Sequence, residues 1–158
     1  MRLAFAVALI CAAPACKKQD DAAKTDQAAP APSSAPASTA EPVDTCALMP
    51  KDQIEAKLGT PDGEPKRLPA RNALLGHCSW MFPDYSNAAV SARPVGELAE
   101  TTGKQVPGIG EQAMFSDGAL VVKLAGKPYY LQVMVMTPKG LDEARTLELA
   151  KIAVANVK

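Results

Sequence analysis

The stretch Tyr129–Thr137 constrains the fold more than any other part of the chain, because its nine residues are nearly all aromatic, aliphatic or methionine. Alternate side chains of a strand point to opposite faces of a sheet. One face would hold Tyr129, Leu131, Val133 and Val135, and the other Tyr130, Met134 and Met136, with Gln132 as the lone polar residue. A strand that is apolar on both faces is typical of the middle of a sheet. We therefore expect a central strand that is covered on both sides.

The flanking segments predict further strands and two helices. Asp117-Gly118 lies between two apolar runs and predicts a hairpin, because these residues accept the positive φ angles of a tight primed turn. Earlier strands are expected over 76–82 and 88–94. The stretch 66–75 is ambiguous, and a strand near 67–70 would lie at an edge because of Pro69. Helices are expected over 50–58, ended by Gly59, and over 141–157. This order predicts an α+β fold with a mostly antiparallel sheet and helix layers on both sides of it.

The first sixteen residues have the order of a secretory signal peptide. Arg2 provides a positive charge, an apolar run follows to Ile10, and small residues precede Cys16. A cysteine directly after the cut is typical of a bacterial lipoprotein, in which the thiol carries diacylglycerol. Two or three acyl chains give stable anchoring where one chain is marginal. We expect a signal peptide over residues 1–15 and lipidation of Cys16.

Two alternatives to this assignment stay open. Cys11 is a second candidate for lipidation, although the bulky Ile10 before it disfavours cleavage there, whereas Ala15 suits the position before Cys16. The segment could also be an ordinary cleavable signal with unrelated cysteines. Its apolar run is well short of the ~20 residues that cross a bilayer as a helix. Lys17, rather than aspartate, after the cysteine is typical of an outer-membrane address in a bacterium with two membranes.

Residues 16–42 are predicted to be a lipidated cysteine followed by a disordered linker. From Lys17 to Pro42 the chain has no apolar residue larger than alanine and four prolines. Such a composition cannot bury enough surface to offset the entropy of ordering. The remaining residues, 43–158, are long enough for one globular domain with a single core.

Charge and aromatic content exclude some partner classes. Lys and Arg together number 17, as do Asp and Glu, so no strong field favours nucleic acid. Aromatic residues make up 4% of the chain, which provides few platforms for stacked bases. The partners that we expect are therefore a membrane, contacted through the lipid anchor, and an envelope protein or an apolar ligand.

Two cysteines remain after the signal peptide and the lipidated thiol are set aside. Cys46 and Cys78 would then both lie in an exported domain, where a pair of cysteines is most simply one disulfide. We expect this disulfide to close a loop of about 32 residues and to stabilise the domain.

Several short motifs in the same order resemble the small bacterial lipoproteins of unknown function that include the LpqN-like group. These motifs are Cys46-Ala-Leu-Met, a helix ending at Leu58-Gly59, Cys78-Ser-Trp, the loop Pro107-Gly-Ile-Gly-Glu-Gln-Ala113, and the terminal helix with Ala150-Lys-Ile-Ala-Val-Ala. The family's loop has Asp-Glu where this chain has Glu111-Gln112. The resemblance implies an α/β/α sandwich akin to PsbP-like domains and a binding or accessory role in the cell envelope. It carries over no catalytic residue.

Few residues suggest chemistry. His77 precedes Cys78, but neighbouring strand residues face opposite sides and a disulfide would consume the thiol, which disfavours a Cys–His nucleophile. Met134 and Met136 share one face, Met81 and His77 another, and methionine and histidine are ligands of copper in exported proteins. Methionine on a sheet is more often core filler.

One further motif is weak. The loop from Gly108 to Gly110 could present backbone N–H groups to an anion, but a structural turn is the simpler interpretation because the lysine and the spacing of a phosphate loop are absent.

The sequence thus predicts a lipid-anchored envelope protein with a non-enzymatic binding or accessory domain. No catalytic, cofactor-binding or metal-ligating residue is assigned, and no cofactor is expected. The alternative is an exported metal-binding or redox protein that uses His77 together with methionine and cysteine residues.

Overall fold

The computed structural model describes residues 41–98 and 102–158. All of these described residues belong to one compact unit. The expected signal peptide, both candidates for lipidation (Cys11 and Cys16) and the expected linker as far as residue 40 lie outside the described residues.

The described ranges form two α-helices, one short 3₁₀-helix and eight strands. The helices are α1 (Lys51–Leu58) and α2 (Glu143–Ala155), and the 3₁₀-helix covers Val95–Glu97. The strands are β1 (Lys66–Leu68), β2 (Gly76–Met81), β3 (Asn87–Pro94), β4 (Lys104–Gln105), β5 (Gln112–Ser116), β6 (Ala119–Lys123), β7 (Tyr129–Thr137) and β8 (Gly140–Leu141).

All strand pairs are antiparallel, and their order across the sheet is β1-β2-β3-β7-β6-β5-β4, with β8 also paired to β7. The expected position of β7 in the middle of the sheet is confirmed, because it pairs with β3 on one side and with β6 and β8 on the other. The hairpin at Asp117-Gly118 is also confirmed, and both residues have positive φ angles of 49° and 75°. The α+β class follows.

Both helices pack on the same face of the sheet. Ile54 of α1 and Leu149 of α2 belong to one buried cluster with Val90 and Val133. The opposite face has a small separate cluster of Met114, Val121 and Tyr130, against which Leu98 packs. The expectation of helix layers on both sides is therefore wrong for the described residues. The second face combines small and polar side chains such as Ala89 and Ser91, which are buried, with Met136, which is 38% exposed, and it offers no continuous aliphatic surface on which a helix would pack.

Helix α2 begins two residues later than expected, because Gly140 and Leu141 pair with the end of β7 as β8. Asp142 is the N-cap residue, and its carboxylate accepts a hydrogen bond from the N–H of Arg145 at 3.0 Å. Such a cap satisfies one of the free N–H groups at the helix start.

Neither helix in the part of the chain that the structure describes is both long enough and apolar enough to cross a bilayer.

Candidate functional site

Cys46 and Cys78 form the expected disulfide, with their Cα atoms 5.1 Å apart. Cys78 lies on β2 and is fully buried on the helix-bearing face, whereas Cys46 belongs to the turn that precedes α1. The bond fixes the segment 42–46 against the start of β2. A hydrogen bond of 2.9 Å from the N–H of Val43 to the carbonyl of Leu75 attaches the same segment three residues before Cys46.

Gly76 is required where this segment crosses the sheet. A Cβ atom at this position would collide with the carbonyl oxygen of Val43. The close approach of the two backbones is thus possible only because residue 76 has no side chain.

A groove of about 660 Å³ lies beside this crossing, at the β1 edge of the sheet. Its walls come from three segments, residues 42–46, 67–70 and 75–77. Most lining side chains are apolar, and Leu68 exposes 54% of its surface beside them. This volume is within the usual range for sites that bind small molecules.

An ion pair stands at the groove. Nη1 of Arg67 lies 2.9 Å from Oδ1 of Asp44. Partial desolvation would raise the pKa of Asp44, but hydrogen bonds from the N–H of Ala47 and from Arg67 outweigh it and lower that pKa below its ordinary value. The groove therefore has one neutralised charged pair beside an apolar lining.

His77 lines the groove and also points to the face of the sheet that carries no helix. Its Nδ1 lies 2.8 Å from Oγ of Ser91, its partner on β3. Burial lowers the pKa of His77, which favours the neutral imidazole at pH 7. A serine hydroxyl beside a neutral imidazole is the start of a nucleophile–base pair. However, Ser91 is only 8% exposed and lies between two paired strands, so a substrate carbonyl has little access to its hydroxyl.

The structure brings the methionines and the histidine together on one face. The sequence suggested two separate pairs, yet the antiparallel register places His77 and Met81 of β2 on the same face as Met134 and Met136 of β7. Cys78 faces the other way and is in a disulfide. The ligand set of the alternative metal or redox hypothesis is therefore split between the two faces. The described residues contain no group of three or more His, Cys, Asp or Glu side chains that could hold a metal ion.

The glycine loop 108–110 packs against β6. A Cβ at Gly110 would collide with the carbonyl oxygen of Lys123, and the N–H of Glu111 donates to that same oxygen at 2.9 Å. Ile109 between the glycines is buried. These contacts account for the loop as a structural turn.

No protein-family model, curated protein or solved structure matches this chain. The resemblance to LpqN-like lipoproteins and PsbP-like domains therefore stays a prediction.

The groove is the feature that sequence reasoning missed. The groove depends on the close approach of residues 42–46 to the start of β2. The sequence signal for this approach is Gly76, the first residue of the strand that contains Cys78. A glycine inside a strand often marks the close approach of another backbone.

Proposed function

We propose that this protein is a lipid-anchored protein of the cell envelope whose folded domain binds an apolar segment of another envelope protein in the groove at the β1 edge. The single observation that carries the binding role is this groove, with its exposed Leu68 and its largely apolar lining. The anchoring role is supported by the order of residues 1–16 and by the disulfide, which fits an exporting route.

The shape of the edge favours side-chain recognition over strand addition. Strand β1 is terminal in the sheet order and only three residues long. Pro65 and Pro69 flank it, and neither has an N–H group to donate to an added strand. Short strands and prolines protect edges from pairing with other chains. A partner would therefore gain its affinity by burying apolar side chains against Leu68 and its neighbours.

The position of the groove suits a partner at the same membrane. The groove is lined by Pro42, the last residue of the expected linker, and by Val43, the first residue of the domain. A flexible linker of 26 residues would average roughly 28 Å from end to end. The anchor at Cys16 would thus keep the groove close to the membrane surface and raise the effective concentration of a membrane-bound partner.

Site-specific photo-crosslinking tests this function in intact cells with the full chain. A photoreactive residue at the exposed Ala70, within the groove, is expected to give one discrete protein adduct. The same residue at Tyr85, which is 83% exposed in the β2–β3 turn, is the matched control and is expected to give none.

A second substitution links the adduct to the groove. Leu68→Asp combined with the Ala70 crosslinker is expected to abolish the adduct, because a carboxylate opposes burial against an apolar segment. Leu68→Met is the conservative control and is expected to keep it. An adduct that survives Leu68→Asp, or an equal adduct from position 85, would refute the groove as the binding site.

A further inference from the structure

Three methionines surround one asparagine on the face of the sheet that carries no helix. Met81 of β2 pairs with Asn87 of β3, and Asn87 pairs with Met136 of β7, so the three lie in one row across adjacent strands. Met134 lies two residues from Met136 on the same face, opposite Ala89. The small alanine leaves room beside Asn87 for the longer side chain of Met134.

The methionines of this row are accessible. Met136 is 38% exposed, and Met81 and Met134 are half-buried. These three side chains therefore remain within reach of solvent. Met49, by contrast, is 1% exposed and belongs to the main hydrophobic core.

Asn87 has an acceptor without a partner. Its Oδ1 is buried and has no hydrogen-bond partner among the described residues. A buried acceptor of this kind costs free energy unless something satisfies it. A bound cation would do so, and the described residues that pair in this row include no lysine or arginine.

The spacing allows the sulfurs to converge. Adjacent strands lie about 4.8 Å apart, so the backbones of Met81 and Met136 are about 10 Å apart on either side of Asn87. Methionine is unbranched and has three rotatable bonds, so both side chains can lean over the asparagine. Met134 lies about 7 Å along the strand from Met136 and approaches from the third side.

From this arrangement we propose that Met81, Met134 and Met136 bind one soft monovalent metal ion, Cu⁺ or Ag⁺, above Asn87. Thioether sulfur is a soft ligand that selects Cu⁺ over harder ions. The site uses neither His77 nor the disulfide cysteines, and it goes beyond the proposed binding of a protein segment in the groove. The cation is bound without any change in its oxidation state, so no reductant or oxidant takes part.

The test is a titration of the full chain, in detergent, with ¹³C-labelled methionine methyl groups observed by NMR. Ag⁺ is the first probe because it is redox-inert, and Cu⁺ is added anaerobically in a second series. The methyl signals of Met81, Met134 and Met136 are expected to shift together and to saturate at one equivalent. Those of Met49 and Met114 are expected to stay in place. No saturable shift with either ion, or equal shifts at all methionines, would overturn the proposal.

Met→Leu variants separate metal binding from simple apolar contact, because leucine keeps the bulk and removes the sulfur. Each of Met81→Leu, Met134→Leu and Met136→Leu is expected to weaken Ag⁺ binding by at least about tenfold. Met114→Leu, on the same face but on β5, is the matched control and is expected to leave the affinity unchanged. A triple leucine variant that is folded and still binds Ag⁺ with the original affinity would overturn the proposal.

The pH dependence gives an independent readout. Thioethers do not take up protons in water, so binding is expected to be the same at about pH 7 and about pH 5, whereas a histidine ligand would be protonated over this range. His77→Gln is expected to bind Ag⁺ as the unaltered protein does. A loss of binding at the lower pH, or in His77→Gln, would contradict a site made of methionines alone.

Discussion

Oγ1 of Thr146 accepts a hydrogen bond of 2.9 Å from the backbone N–H of Val135, and both residues are fully buried. The carbonyl oxygen of Val135 accepts a second bond from the N–H of Asp142 at 2.8 Å. Strand β6 pairs with β7 only as far as Val133 and so does not reach Val135. The start of α2 instead provides hydrogen-bond partners for the backbone of Val135. The helix is thereby joined to the central strand by hydrogen bonds as well as by apolar packing.

Thr146→Val is therefore expected to destabilise the domain by about 1–3 kcal/mol, because it leaves the buried N–H of Val135 without an acceptor. Urea unfolding followed by the fluorescence of Trp80 measures the change. Thr146→Ser keeps the hydroxyl and is expected to lose less. A Thr146→Val variant as stable as the original protein would contradict this role for the hydrogen bond.

Arg145 joins three elements through its guanidinium group. It donates to the carbonyl oxygen of Leu58 at 2.9 Å and to Oγ of Ser86 at 3.2 Å. The carboxylate of Asp84 lies 3.6 Å away, and the ring of Phe82 has its centre 5.2 Å from the guanidinium carbon. The end of α1, the β2–β3 turn and the start of α2 thus share one side chain.

Arg145→Lys keeps the charge but cannot make these contacts in several directions at once. We expect a loss of about 1.5–3 kcal/mol in the free energy of unfolding, typical of hydrogen bonds to a charged group. Arg67→Lys is the matched control, because its ion pair with Asp44 is mostly exposed and is expected to contribute less than about 1 kcal/mol. Similar losses for both variants in urea unfolding would contradict this role for Arg145.

The disulfide is expected to stabilise the domain by about 3–4 kcal/mol, as estimated from the separation of 32 residues between its cysteines. The double variant Cys46→Ala/Cys78→Ala should therefore unfold at a much lower urea concentration. A reductant should destabilise the original protein and leave the double variant unaffected. A double variant as stable as the original would contradict the estimate.

The stability of the domain should fall in mildly acidic solution because of His77. Burial lowers the pKa of His77 below its ordinary value of 6.5, so the unfolded chain takes up a proton before the folded one does. The contribution is fully present above pH 6.5 and is lost as the pH falls towards the pKa of the folded state. Urea midpoints measured from about pH 7 to about pH 5 should show this loss.

His77→Gln should have a flatter pH dependence over the same range. The chain has a single histidine, so its imidazole signals in a proton NMR spectrum are unambiguous. A titration midpoint of the folded protein at or above 6.5 would contradict the effect of burial.

The sequence predicts those features that depend on local chemistry. Asp117-Gly118 determines a hairpin because of its backbone preferences, and the apolar run Tyr129–Thr137 determines a central strand. Cys46 and Cys78 are the two cysteines of the domain, so the sequence predicts that they form a disulfide with each other. These predictions need no knowledge of which strands are neighbours.

The features that depend on register could not be read in the same way. Met81 and Met136 come to the same row only because both pair with Asn87, and no local pattern in either strand specifies that partner. The helices α1 and α2 lie on one face and contact each other. The sequence does not show this contact, and the two apolar faces of β7 wrongly predict helix layers on both sides. Helical periodicity also does not show that Gly140 and Leu141 pair with β7, which is why α2 begins later than the sequence predicts.

The most direct test of the account is the intact mass of the protein extracted from membranes with detergent. We predict a mature chain that begins at Cys16, carries the mass of two or three acyl chains on that residue, and lacks two hydrogens because Cys46 and Cys78 are joined. A soluble chain without acyl groups, or a mass that shows Cys46 and Cys78 as free thiols, would contradict it.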